Sequence, residues 1–154
     1  MEYGSIVREI RIDAAPKVVF DVVSDPEHVQ QWWPDEAVYE PVPGGTGRLS
    51  FVTGVEERKS YGIQVVDAEP YRLFSFRWTQ PEGDVAREDN SFLVTFELTP
   101  AGSGTLLRMT EIGFREQGWE AAVLEEAYRD HCHGWDHFLP RIAPYVATLR
   151  TASR

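Results

Sequence analysis

The stretch LEEAYRDHCHGWDHFLPRIAPYVATL, Leu124 to Leu149, decides the fold. At steps of three and four it brings Leu124, Tyr128, Cys132, Trp135, Leu139, Ile142, Val146 and Leu149 onto one face of an α-helix. His131, Phe138 and Tyr145 flank that stripe. The opposite face carries Asp130, His133, His137, Pro140, Arg141 and Pro144. Each proline removes a backbone hydrogen bond, so the helix is expected to bend or break there. Because both lie on the polar side, a bend turns its convex face to solvent and closes the apolar row over a partner layer.

That layer has to come from the rest of the chain. At 154 residues, 42% of them hydrophobic and 12% aromatic, the sequence fits one folded domain spanning residues 1–154. Fifteen basic residues against twenty-five acidic ones give a net charge of −10, which repels nucleic-acid phosphates and anionic membranes. The single cysteine, Cys132, rules out an intrachain disulfide and sits on the apolar face as a small hydrophobe. Met1 to Ser5 lack the basic start and apolar run of a signal peptide, and no stretch has the length of a membrane span. A cytoplasmic location is the expectation.

Residues 5–13 alternate as a half-buried strand, with Ile6, Arg8, Ile10 and Ile12 in one phase. Ala15-Pro16 opens a short helix to Val23, and Ser24-Asp25-Pro26 restarts another to about Trp32. From there the chain reads as strands and turns. Strands are expected over Ala37–Val42, Arg48–Thr53, Ser60–Glu69, Arg72–Thr79, Ser91–Thr99 and Thr105–Gly113. A turn at Pro43–Gly47, a charged loop at Gly54–Lys59, a polar loop at Gln80–Asn90 and a turn at Pro100–Gly104 connect them. Such short connections favour an antiparallel meander.

The alternation shows what this sheet covers. Phe74, Phe76 and Trp78 share a face, as do Phe92, Val94, Phe96 and Leu98, and Leu107, Met109 and Glu111. An aromatic sheet face opposite a long amphipathic helix gives an α+β architecture, a curved antiparallel sheet gripping the helix.

Ile10-Arg-Ile-Asp-Ala-Ala-Pro16, Val19-Phe20 and Asp25-Pro26 resemble the opening of the Bet v 1/START-like (SRPBCC) superfamily. Trp32-Trp33-Pro34, Pro43-Gly44-Gly45, Gly62, Glu69-Pro70, Gly104-Thr-Leu-Leu107, Gly113-Phe114 and His133-Gly134-Trp135 resemble its branch of activator of Hsp90 ATPase homologues. The resemblance implies the helix-grip fold: seven antiparallel strands round a C-terminal helix, two small helices after the first strand, and a cavity between. It implies no single function, since relatives bind lipids, hormones or polyketides and a few are cyclases or hydrolases.

Glu111 shares its phase with Leu107 and Met109 and should point inward, where a carboxylate requires partners. The helix-grip order sets the first and last strands side by side, so a structural Arg8–Glu111 pair is expected. A polar anchor or general acid/base in the cavity is the functional alternative. His133 and His137, at i and i+4, have the spacing of two metal ligands, but they fall on the proline side without the HExxH pattern. They are read as surface residues, and neither metal nor cofactor is expected. His131 borders the apolar face and can reach the cavity. Gly44-Gly45-Thr46-Gly47 lacks the Lys-Ser/Thr of a phosphate loop and is a turn. No G-x-S-x-G motif supports nucleophilic catalysis.

These readings converge on a small-ligand protein. The expected cavity walls are Phe20, Trp33, Phe51, Phe76, Trp78, Phe96, Met109, Phe114, Trp135 and Phe138, with Glu111, Tyr61 and His131 as orienting groups. The expected partner is a small apolar molecule: a lipid, a polyketide or an aromatic metabolite. A protein-interaction module is the second reading, with a homodimer compatible and a chaperone partner suggested only by the branch name. A cyclase- or hydrolase-like enzyme using Glu111 or His131 is the third.

Overall fold

The computed structural model describes residues 3–152. Strand β1 (Ser5–Ile12) is followed by α1 (Pro16–Ser24) and α2 (Pro26–Trp32). Then come β2 (Glu36–Tyr39), β3 (Thr46–Gly54), β4 (Glu57–Glu69), β5 (Leu73–Trp78), β6 (Phe92–Ala101) and β7 (Gly104–Ile112). The C-terminal segment comprises α3 (Ala121–Phe138), a 3-10 turn at Leu139–Arg141, and α4 (Ile142–Ala152). The strands form one antiparallel sheet in the order β1-β7-β6-β5-β4-β3-β2. This is the expected α+β helix-grip arrangement.

Local chemistry explains the boundaries. Pro16 and Pro26 each occupy a first helical turn, where their missing N–H costs nothing. Asp25 caps α2 by accepting from the Glu27 N–H at 2.9 Å. The Pro100–Gly104 turn is tighter than its composition suggests, because Ala101 pairs with Gly104 and Gly102 alone takes the left-handed φ of +63°. The charged stretch Gly54–Lys59 is mostly strand rather than loop: only Val55 and Glu56 separate β3 from β4.

The apolar stripe survives the two prolines. Pro140 stands inside the 3-10 turn and Pro144 in the first turn of α4, the positions that tolerate proline best. The backbone is therefore interrupted rather than smoothly bent. Phe138, Leu139 and Ile142 nevertheless all keep right-handed helical φ and ψ, so the stripe remains in phase. Trp135, Leu139, Ile142 and Val146 are all buried. Each contributes roughly 1.5–3 kcal/mol by leaving water.

Arg8 departs from expectation. In the β1–β7 register, Ile6 lies opposite Glu111 and Arg8 lies opposite Met109. Buried Ile6 fills the place next to the carboxylate. Arg8 reaches across to α3 instead, where its Nε and Nη2 donate to the two oxygens of Asp136 at 2.7 and 3.3 Å. That fork is the preferred guanidinium–carboxylate geometry. It also sits near the surface, with side chains 34% and 58% exposed.

The hydrogen bond from Arg8 holds the Asp136 carboxyl below its usual range. The folded pKa thus lies below the unfolded one, so the pair's contribution is complete above the unfolded value and is lost as pH falls through the folded value. Asp136→Asn is expected to cost at most about 1 kcal/mol at neutral pH, given the exposure of the pair. Denaturant unfolding across an acid series should show the gap between variant and wild type closing at low pH. A gap independent of pH means that the ion pair is not its source.

Candidate functional site: a buried carboxylate beneath an aromatic groove

Glu111 is 0% exposed, on the inner face of β7. It lies opposite Val94 of β6 on one side and Ile6 of β1 on the other. Its partners come from farther away. Oε2 accepts the Trp78 indole N–H at 2.8 Å. Oε1 accepts the Trp135 indole N–H at 2.9 Å and lies 2.6 Å from His131 Nδ1. One strand of the sheet and two successive turns of α3 therefore meet at a single side chain.

The rings above it are packed edge to face or tilted. Trp33, at the C-terminal end of α2, has centroids 4.9 Å from both Trp78 and Trp135, and 6.1 Å from Phe51. Such pairs add about 0.5–1.5 kcal/mol each beyond burial and hold the rings in fixed orientations. His131 is wedged between Phe92, Phe114 and Trp78, at 4.6, 5.2 and 5.6 Å.

Outside this cluster lies a groove of about 590 Å³, open to solvent on one side. Phe51, Thr53, Lys59 and Tyr61 of the β3–β4 hairpin form one wall, and Trp78 and Thr79 form the floor. Asn90, Phe92, Gln117 and Trp119 face them, and His131 closes the end. A cleft of about 130 Å³ adjoins it between Trp33, Phe51, Trp78, Trp135 and Phe138, bordered on α3 by Asp130, His131 and Gly134. Phe51, Trp78 and His131 line both spaces.

Seven of the expected wall and orienting residues thus meet at the groove and its cleft: Trp33, Phe51, Tyr61, Trp78, His131, Trp135 and Phe138. Glu111 lies directly beneath. Phe76, Phe96, Met109 and Phe114 are instead buried in the core that carries the site. Phe20 packs against Tyr71 and Phe74, away from the groove. Alternation places a ring on the inner face but does not say whether another side chain covers it. Groove residues missing from the expectation include Phe92, which shares the inward phase of Val94 and Phe96, and Trp119. Trp119 follows the left-handed Gly118 in a segment with no periodicity, so no pattern marked it. Gln117 pins that segment by donating to the carbonyls of Glu88, Ser91 and Gly113.

The family model described as "Activator of Hsp90 ATPase homolog 1-like protein" matches residues 13–147. The chain belongs to this family. No curated protein matches the sequence. Among solved structures, a protein from Nitrosomonas europaea is similar at a TM-score of 0.80 and 11% identity, covering 98% of this chain and 99% of that one. The Aha1 dimer from Colwellia psychrerythraea is similar at a TM-score of 0.65 and 18% identity, covering 92% and 95%. A protein of the dynemicin biosynthetic locus, DynU16, is similar at a TM-score of 0.67 and 21% identity, covering 94% of this chain and 48% of that one. These likenesses establish the helix-grip fold of this family member. Among the described residues, no helix is long and apolar enough to cross a membrane.

The carboxylate generates a test. Glu111→Ala leaves two buried indole N–H groups and an imidazole without their acceptor, along with a void, at an expected cost of about 3–5 kcal/mol. Glu111→Gln keeps one acceptor oxygen and should cost less, about 1–3 kcal/mol. Denaturant midpoints give both values. An Ala variant as stable as wild type contradicts the role assigned to the carboxylate.

Proposed function

We propose that this protein binds a small apolar or aromatic molecule in the groove between the β3–β4 hairpin and α3. The observation that carries the reading is the convergence of aromatic walls with one polar terminus. Phe51, Trp78, Phe92 and Trp119 supply flat apolar surfaces, and His131 stands among them with its side chain 17% exposed. Ligand sites typically combine about 300–1,000 Å³ of apolar space with a few convergent polar groups, and the groove has both. The adjoining cleft is almost wholly apolar and suits the inner end of a ring or alkyl chain. Gly134 is part of its boundary on α3, and an added Cβ there meets nothing within 4 Å.

Protein association is the competing reading. It draws on the likeness to a family relative solved as a dimer, whereas the groove reading draws on this chain's own geometry.

Nile red, an uncharged dye that brightens in apolar surroundings, separates the two. Wild type is expected to enhance its fluorescence saturably. Gly134→Leu, which fills the cleft from an open helix position, should weaken binding about tenfold, or 1.4 kcal/mol. Trp119→Ala, at a side chain already 40% exposed, should weaken it severalfold with folding intact. Affinity unchanged in both variants, or enhancement that never saturates, rejects the groove as the site.

A further inference from the structure

His131 offers the groove a single ring nitrogen, and Glu111 determines its state. Both Glu111 oxygens accept indole N–H groups, which can only donate. With Glu111 as a carboxylate, the hydrogen of a neutral imidazole belongs on Nδ1, 2.6 Å from Oε1, and the Nε2 lone pair is free. Phe92, Phe114 and Trp78 pack round the ring and oppose its turning over. Among the described residues Nε2 has no hydrogen-bond partner, and it is not buried out of reach of solvent. The other ionisable groups lining the groove and cleft are Tyr61 and Lys59 of β4 and Asp130 of α3. Lys59 is exposed and, among the described residues, has no ion-pair partner.

We propose that Glu111 and His131 form a proton-accepting dyad, and that the groove selects aromatic ligands bearing an acidic hydroxyl, namely phenols. This rests on the reading of the groove as a ligand site. In the step, the phenol O–H bond breaks, its electron pair stays on oxygen, and the proton bonds to His131 Nε2. The imidazolium so formed is balanced by the Glu111 carboxylate at Nδ1, which keeps its own charge throughout. The phenolate lies in the same groove as the Lys59 ammonium, the cation available to an anion there. An ether of the same ring lacks the proton and gains nothing from the dyad.

para-Nitrophenol tests this directly, because its anion absorbs where the neutral form does not. At a pH below its own pKa, wild type is expected to raise the phenolate band in proportion to bound ligand, with tryptophan quenching reporting the binding itself. His131→Gln should lose the band and bind para-nitrophenol about tenfold more weakly. The loss should be selective for the phenol: para-nitroanisole, which has no proton to give, should lose less affinity in this variant than para-nitrophenol does, and the quenching it retains reports that the groove is intact. Lys59→Ala should weaken the band severalfold. Quenching by para-nitrophenol without a phenolate band, or a band that persists in His131→Gln, overturns the dyad and leaves the groove reading standing. Absence of quenching by both compounds overturns both.

Discussion

A carboxylate with no exposure to water is the constraint on which the rest of this structure depends. An isolated buried charge is prohibitively unfavourable, so Glu111 is tenable only where donors surround it. The donors are two indole N–H groups and an imidazole, drawn from β5 and from two turns of α3. Apolar packing alone lets a helix slide or rotate over a sheet at little cost, because contact area is nondirectional. Two directed hydrogen bonds from α3 to one side chain of the sheet do not. Glu111 thereby sets the height and rotation of α3 above the sheet.

The same arrangement shapes the groove. Trp78 and Trp135 are tethered at their N–H ends to a point beneath the surface, so their rings are fixed over it, Trp78 in the floor of the groove and Trp135 in the adjoining cleft. Trp33 lies against both, and Phe51 and Phe138 extend the aromatic surface outward. Because its Nδ1 is engaged below, His131 is presented to the groove by its other nitrogen. A polar group at the end of an apolar slot follows from the way the carboxylate is satisfied. This links a stability requirement to the proposed recognition feature: the side chains that hydrogen-bond Glu111 also line the groove and its cleft.

Much of this was legible in the chain, in proportion to how local the cause was. The stripe from Leu124 to Leu149 follows a 3.6-residue period, which needs no tertiary information, and its row from Trp135 to Val146 is buried as expected. The inward phase of Glu111 follows from strand alternation with Leu107 and Met109. Its partners did not follow, since which donor reaches a buried acceptor depends on where a distant helix crosses. Arg8 illustrates this: it shares the inward phase, but Ile6 occupies the place beside the carboxylate and the guanidinium pairs with Asp136 of α3. Phe76, Phe96, Met109 and Phe114 look like cavity walls in sequence and are core in the fold, because alternation gives a face and not a depth. Pro140 and Pro144 interrupt the helix without turning its apolar row, each falling in a first turn.

The five tryptophans provide the most direct test, because each indole N–H gives its own NMR signal. Titrating an apolar aromatic ligand into the protein should shift the signals of Trp33, Trp78, Trp119 and Trp135 together along one binding curve. Trp32, buried with its N–H bonded to the Val22 carbonyl at 2.9 Å, should move least. Signals that stay in place at saturating ligand, or a shift confined to Trp119, would contradict a ligand site built over Glu111.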